Sequence, residues 1–97
     1  MRMLLKATIP VDKGNSAIKD GSLPKVIEAA IAQLKPEAVY FAIQDGQRTT
    51  FLFFDLQNES DMVTALEPLW MALEADIELV PVMTPDDLQA GMKKAFG

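Results

Sequence analysis

The chain has 97 residues, 49% of them hydrophobic, which is enough for one small domain spanning 1–97 with a real core, and which excludes a disordered chain. Its net charge of −5 opposes both the phosphate backbone of nucleic acids and anionic membrane surfaces, so neither is expected as a partner. With no cysteine and no histidine, there is no disulfide, thiolate nucleophile or imidazole base, and no zinc, haem or copper site or other cofactor is expected.

The start, "MRMLLKATIP", has an apolar run too short for a signal-peptide core, and no window approaches the roughly 18–20 apolar residues of a membrane span. The expected location is the cytoplasm. Arg2 to Ile9 reads as a first strand, with Met3, Leu5, Ala7 and Ile9 alternating with Arg2, Leu4, Lys6 and Thr8. Pro10 ends it. Val11 to Gly21, "VDKGNSAIKDG", reads as a long connection.

Ser22 is then placed to cap a helix whose apolar stripe is Leu23, Ile27, Ala30, Ile31 and Leu34, with Pro24 in the first turn and Pro36 beyond the end. Ala38 to Ile43 and Arg48 to Asp55 are rich in β-branched and aromatic residues. The Asp45-Gly46 pair between them marks a tight hairpin, since both central residues of that turn need positive φ.

Ser60 opens a second helix with Met62, Leu66, Leu69 and Leu73 on one stripe. Pro68 is expected to kink or split it. Asp76 to Met83 reads as a fourth strand, at a sheet edge because of Pro81. "TPDD", Thr84 to Asp87, starts a last helix, with Leu88, Met92 and Phe96 expected inward and Lys93 and Lys94 near its end.

The order β-α-β-β-α-β plus a C-terminal helix predicts an α+β fold of the ferredoxin-like kind. Its four-stranded antiparallel sheet carries two helices on one face. On the opposite face the alternation places Leu4, Tyr40, Phe51, Phe53, Val80 and Val82, with Lys6, Thr8, Thr49 and Glu78 among them. A patch so apolar implies a partner, most economically a second copy packed face to face, unless the last helix folds over it.

This order of elements resembles the dimeric α+β barrel superfamily, over nearly the whole chain and without a motif. The resemblance implies a homodimer closed through the open sheet face, with an architecture like that of small monooxygenases and muconolactone isomerases. The "DIELVPVMTPDDL" ending is similar to that of small bacterial domains with no established activity. Enzyme branches of the superfamily often use a histidine or haem, and this chain has no histidine to offer.

Two clusters are the candidate sites. Lys6, Thr8, Tyr40, Phe51 and Glu78 on the open face, with Arg48 near the hairpin and Trp70 beside Pro68, form a candidate ligand site. Lys6 would meet an anionic or enolate oxygen there and Tyr40 would donate a hydrogen bond. The competing reading pairs Lys6 with Glu78 across neighbouring strands or the dimer seam. Lys19, Ser22 and Lys25, at a helix start, form a candidate anion site. Gly14 and Gly21 are too far apart, with Lys19 on the wrong side, for a phosphate loop, which leaves the connection a lid or a plain linker. The acidic residues Asp55, Glu59, Asp61, Asp86 and Asp87 match no calcium-loop spacing, and most fall at helix starts, where acids are favoured without a metal.

The functional expectation is a small dimeric α+β-barrel domain that binds a small ligand or a partner and carries no catalytic motif. The alternative is a cofactor-free monooxygenase or isomerase acting on an aromatic or enolisable substrate in the barrel. A regulatory ligand-binding module ranks third, since no output domain is visible.

Overall fold

A computed structural model describes Met1–Gly97. It contains β1 (Arg2–Ile9), α1 (Val11–Lys19), α2 (Ser22–Leu34), β2 (Ala38–Gln44), β3 (Gln47–Asp55), α3 (Asp61–Leu73), β4 (Asp76–Pro81) and α4 (Pro85–Phe96). The four strands form one antiparallel sheet in the order β2-β3-β1-β4. The architecture is α+β, with four helices, and it is compatible with a ferredoxin-like arrangement.

The hairpin forms for the anticipated reason. Asp45 and Gly46 take φ of 53° and 74°, so the turn carries the right-handed twist of the flanking strands. It fixes the register, with Tyr40 opposite Phe51 and Ala42 opposite Thr49. β1 sits at the centre, pairing Leu5 with Leu52 on one side and with Leu79 on the other. Its odd-numbered residues Met3, Leu5, Ala7 and Ile9 are all buried beneath the helices, and join Leu52, Phe54, Leu66, Leu69 and Leu73 in one core. Pro81 lies on the edge strand β4, where its missing N–H breaks no ladder.

Four expectations are corrected. Val11–Lys19 is a helix, not a loop: the Gly14 N–H donates to Pro10 O at 2.8 Å as the first helical bond, with Asp12 in the first turn and Lys19 in the last. The apolar residues Val11, Gly14, Ala17 and Ile18 recur at helical steps, and Gly14 and Ala17 face inward. Gly14 has a steric role, because a Cβ there would stand 2.5 Å from Arg48 Nη1.

Ser22 is not a cap. Gly21, at φ 79°, precedes α2, and the Ser22 hydroxyl donates back to Ala17 O at 3.5 Å. α3 runs unbroken through Pro68, since burial of Ala65, Leu66, Leu69 and Leu73 against the core outweighs the hydrogen bond that proline cannot make.

The fourth correction concerns α4. Leu88, Met92 and Phe96 do not face inward: they are 53%, 52% and 81% exposed, and α4 buries no residue at all. Its start is nonetheless firmly built. Thr84 Oγ1 accepts from the Asp87 amide at 3.1 Å while Asp87 accepts from the Thr84 amide at 3.0 Å, a complete capping box with Pro85 in the first turn. The helix therefore projects from the domain, which measures 56 × 28 × 17 Å. The radius of gyration is 15.5 Å, against about 12.5 Å for a compact chain of this length.

Candidate functional site

Two surfaces stand apart from the core. The first is the sheet face away from the helices. Register sets its side chains in rows across the strands: Ala38–Phe53–Leu4–Val80, then Tyr40–Phe51–Lys6–Glu78, then Ala42–Thr49–Thr8–Asp76. Tyr40 is 63% and Val80 45% exposed and Glu78 is exposed as well, while Leu4, Lys6, Thr8, Phe51 and Phe53 are half-buried by their neighbours. Tyr40 meets Phe53 edge to face, with ring centroids 6.5 Å apart. Thr49, in the third row, is nonetheless only 2% exposed, and α4 buries no residue against these rows.

Lys6 is the cation at the middle of this face, between Phe51 and Glu78 in the ladders. Within the chain, the ion pair with Glu78 across the neighbouring strands is not formed. The two ion pairs of the chain are the Met1 amine with Asp55 at 2.6 Å and Arg2 with Glu37 at 2.5 Å. The guanidinium of Arg2 holds the Glu37 carboxyl below its ordinary value, by hydrogen bond first and by charge second. Both pairs sit at the Arg2 end of the sheet and leave the Lys6 ammonium without a carboxylate partner.

Arg48 and Trp70 are not part of this group. Arg48 shares a cross-strand row with Ile9 and Ile43, on the helix side. There it lies over Gly14 and donates from Nη2 to Asn15 Oδ1 at 3.0 Å. Trp70 is on α3 and is 43% exposed on the helix layer.

The candidate anion cluster at the start of α2 is already partnered. The Ser22 amide donates to Asp20 Oδ1 at 2.8 Å, and bonds from Ser22 hold the Asp20 carboxyl below its ordinary value. Lys19 and Lys25 are exposed on either side. No group of three histidine, cysteine, aspartate or glutamate side chains is placed to hold a metal ion, and no helix is long and apolar enough to cross a membrane.

The second surface was not foreseen. On the helix side of β2, Val39 packs against the core, but beyond it the strand is left uncovered. Phe41 and Ile43, assigned to the covered side, are 67% and 82% exposed. They form the floor of a cleft of about 670 Å³ whose wall is the Leu23, Ile27 and Ile31 stripe of α2. Glu28 lies along its lip and Arg48 at the end where α2 begins. Thr50, nearly fully buried, closes the inner side. A sequence signal for the cleft existed in β2, which has apolar residues on both alternations although two helices cannot cover both edges of a four-stranded sheet.

Comparison with protein-family models, with curated proteins and with solved structures finds no match for this chain.

Proposed function

We propose that this protein is a binding domain that acts as a homodimer. Two open sheet faces meet in an assembly of the dimeric α+β barrel kind, and a small ligand with an acidic group and an aromatic body is held between them. The observation that carries the reading is the row Tyr40–Phe51–Lys6–Glu78, in which a half-buried lysine that forms no ion pair within the chain stands beside Phe51, with Tyr40 next along the row, on the sheet face away from the helices. An ammonium in such surroundings gains from an anion, and the rings offer flat apolar contact to the rest of the ligand.

Binding rather than turnover fits the arrangement. A nucleophile or base is recognised by a partner that orients it, and neither ion pair of the chain includes Lys6 or Glu78. Thr8 and Glu78 serve as neutral and acidic neighbours that set which part of a ligand can approach Lys6.

The test uses 8-anilinonaphthalene-1-sulfonate, an aromatic anion, as probe. Wild-type protein is expected to bind it with enhanced fluorescence, and Lys6→Met to bind it roughly 10- to 100-fold more weakly, the value of one charge-assisted bond. Equal affinity in the two proteins would remove Lys6 from the site. Light scattering near 10 µM is expected to give a mass twice 10.7 kDa. A monomer would end the face-to-face reading.

A further inference from the structure

α4 and the cleft beside β2 are two apolar surfaces without partners, at opposite edges of one sheet. α4 presents Leu88, Met92 and Phe96 at steps of four, a stripe about 12 Å long on a helix that a capping box holds formed. The wall of the cleft presents Leu23, Ile27 and Ile31, also at steps of four and also about 12 Å long. Two such stripes match rung for rung, as packed helices require.

The charges choose a direction. α2 begins beside the Ile9–Arg48–Ile43 row and ends beside Phe54, as the cavities along it show. A helix lying parallel to α2 brings Asp86 and Asp87 to Arg48 and Lys93 to Glu28. The reverse direction sets Lys93 and Lys94 against Arg48.

The chain cannot make this contact with itself. β4 and β2 are the two edges of the sheet, about 14 Å apart at three strand spacings. β4 also ends opposite Met3, about 20 Å along the strands from the Ile9 end of the cleft. Val82 to Thr84, the only connection, reach about 11 Å when fully extended. The occupant must come from another molecule.

We propose that α4 of one copy docks in the cleft between α2 and β2 of a second copy, parallel to α2, in a reciprocal exchange. This deepens the homodimer reading above and rests on it. Area supports the exchange as well. Four strands of about six residues present a face of roughly 400 Å², half of the ~800 Å² a side of a standard interface, and the α4 stripe and the cleft it fills supply the remainder. A short connection between Pro81 and Pro85 is the kind of hinge through which identical elements are exchanged.

The test exploits the absence of native cysteine. Full-length Ile27→Cys and Met92→Cys proteins are mixed in a glutathione redox buffer, and the bridged peptides are identified by mass spectrometry. Parallel docking brings these positions within disulfide reach, so the mixed 27–92 bridge is expected to exceed the 27–27 and 92–92 bridges at least tenfold. A dimer that forms with no excess of the 27–92 bridge overturns the docking and leaves the open-face dimer standing, whereas a wild-type monomer at every concentration overturns the open-face dimer.

As a second measurement, Leu88→Asp combined with Phe96→Asp is expected to raise the dimer dissociation constant at least tenfold with an unchanged circular dichroism spectrum. Were Ile27→Asp to alter binding of 8-anilinonaphthalene-1-sulfonate but not the mass, the cleft would hold a small ligand and the docking would be wrong.

Discussion

Phe51→Lys tests the open face most directly. In the ladder Phe51 stands opposite Lys6 on one side and Tyr40 on the other, so the new ammonium joins the existing one at the centre of the face. In the monomer the cost is small: Phe51 is only half-buried, and repulsion between two wet ammonium groups about 5 Å apart is on the order of 1 kcal/mol. In a face-to-face dimer each copy would bury an unpaired charge beside another of the same sign. Such a group costs several kcal/mol, and about 2 kcal/mol per copy is a conservative floor. The two-fold doubles it to about 4 kcal/mol, a rise in dissociation constant of about a thousandfold. Light scattering from 1 to 100 µM, run beside circular dichroism, reads both quantities. The expected result is a folded monomer. A variant that stays dimeric with unchanged affinity would refute the interface, and one that fails to fold would show that Phe51 belongs to the monomer's own core.

Leu5 is fully buried at the centre of β1, so Leu5→Ala should lower the unfolding free energy by about 2–5 kcal/mol in urea titrations at any protein concentration. Thr84→Ala removes the capping box, worth about 1 kcal/mol to the helix; because α4 buries nothing within the protomer, hydrogen exchange should quicken in α4 while monomer unfolding hardly shifts. Gly46→Ala puts a Cβ at φ 74° in the hairpin turn and should cost about 1 kcal/mol with the site intact. The Glu37 carboxyl is depressed by Arg2, so its contribution to stability is full above its ordinary 4.5 and is lost as pH falls through the lowered value. Urea midpoints of wild type and Glu37→Gln should therefore differ at pH 6 and converge toward pH 2.5, whereas a constant gap would mean that the ion pair contributes nothing.

The sheet was legible because its signals are local. Asp45-Gly46 requires a tight turn, the turn fixes the register, and a period of two then divides β1 and β3 into a buried and an open set, with Thr49 the exception because it is buried although it lies on the open alternation. The Thr84 start was legible for the same reason, since cap, proline and aspartate act within one turn. α1 was not, because Gly14, Asn15 and Ser16 are weak helix formers and mask the inward step from Val11 through Gly14 to Ala17 and Ile18. Gly14 looks like a loop residue until Arg48 is seen lying over it. Arg48, expected near the hairpin beside the candidate site, stands instead on the helix side, because its row with Ile9 and Ile43 carries the parity of the buried set.

The α4 stripe shows why the rest could not be read. Periodicity states that Leu88, Met92 and Phe96 share a side, and hydrophobicity states that water is a poor neighbour for it. Neither states whose surface the neighbour is. Inward was the default for an apolar stripe, and it failed on a quantity absent from any helix pattern: three connecting residues cannot carry α4 from the β4 edge to the bare side of β2. The same limit makes the two unpartnered surfaces a single problem. A chain with only 16 of 97 residues buried has left apolar area on both sides of its sheet. If Phe41 and Ile43 needed only shielding from water, a longer connection or a longer α2 would supply it within the chain. In the docking proposed above, a preformed helix held out of its own reach would instead make completion of the fold depend on a second molecule, and would tie dimerisation to the geometry around Lys6.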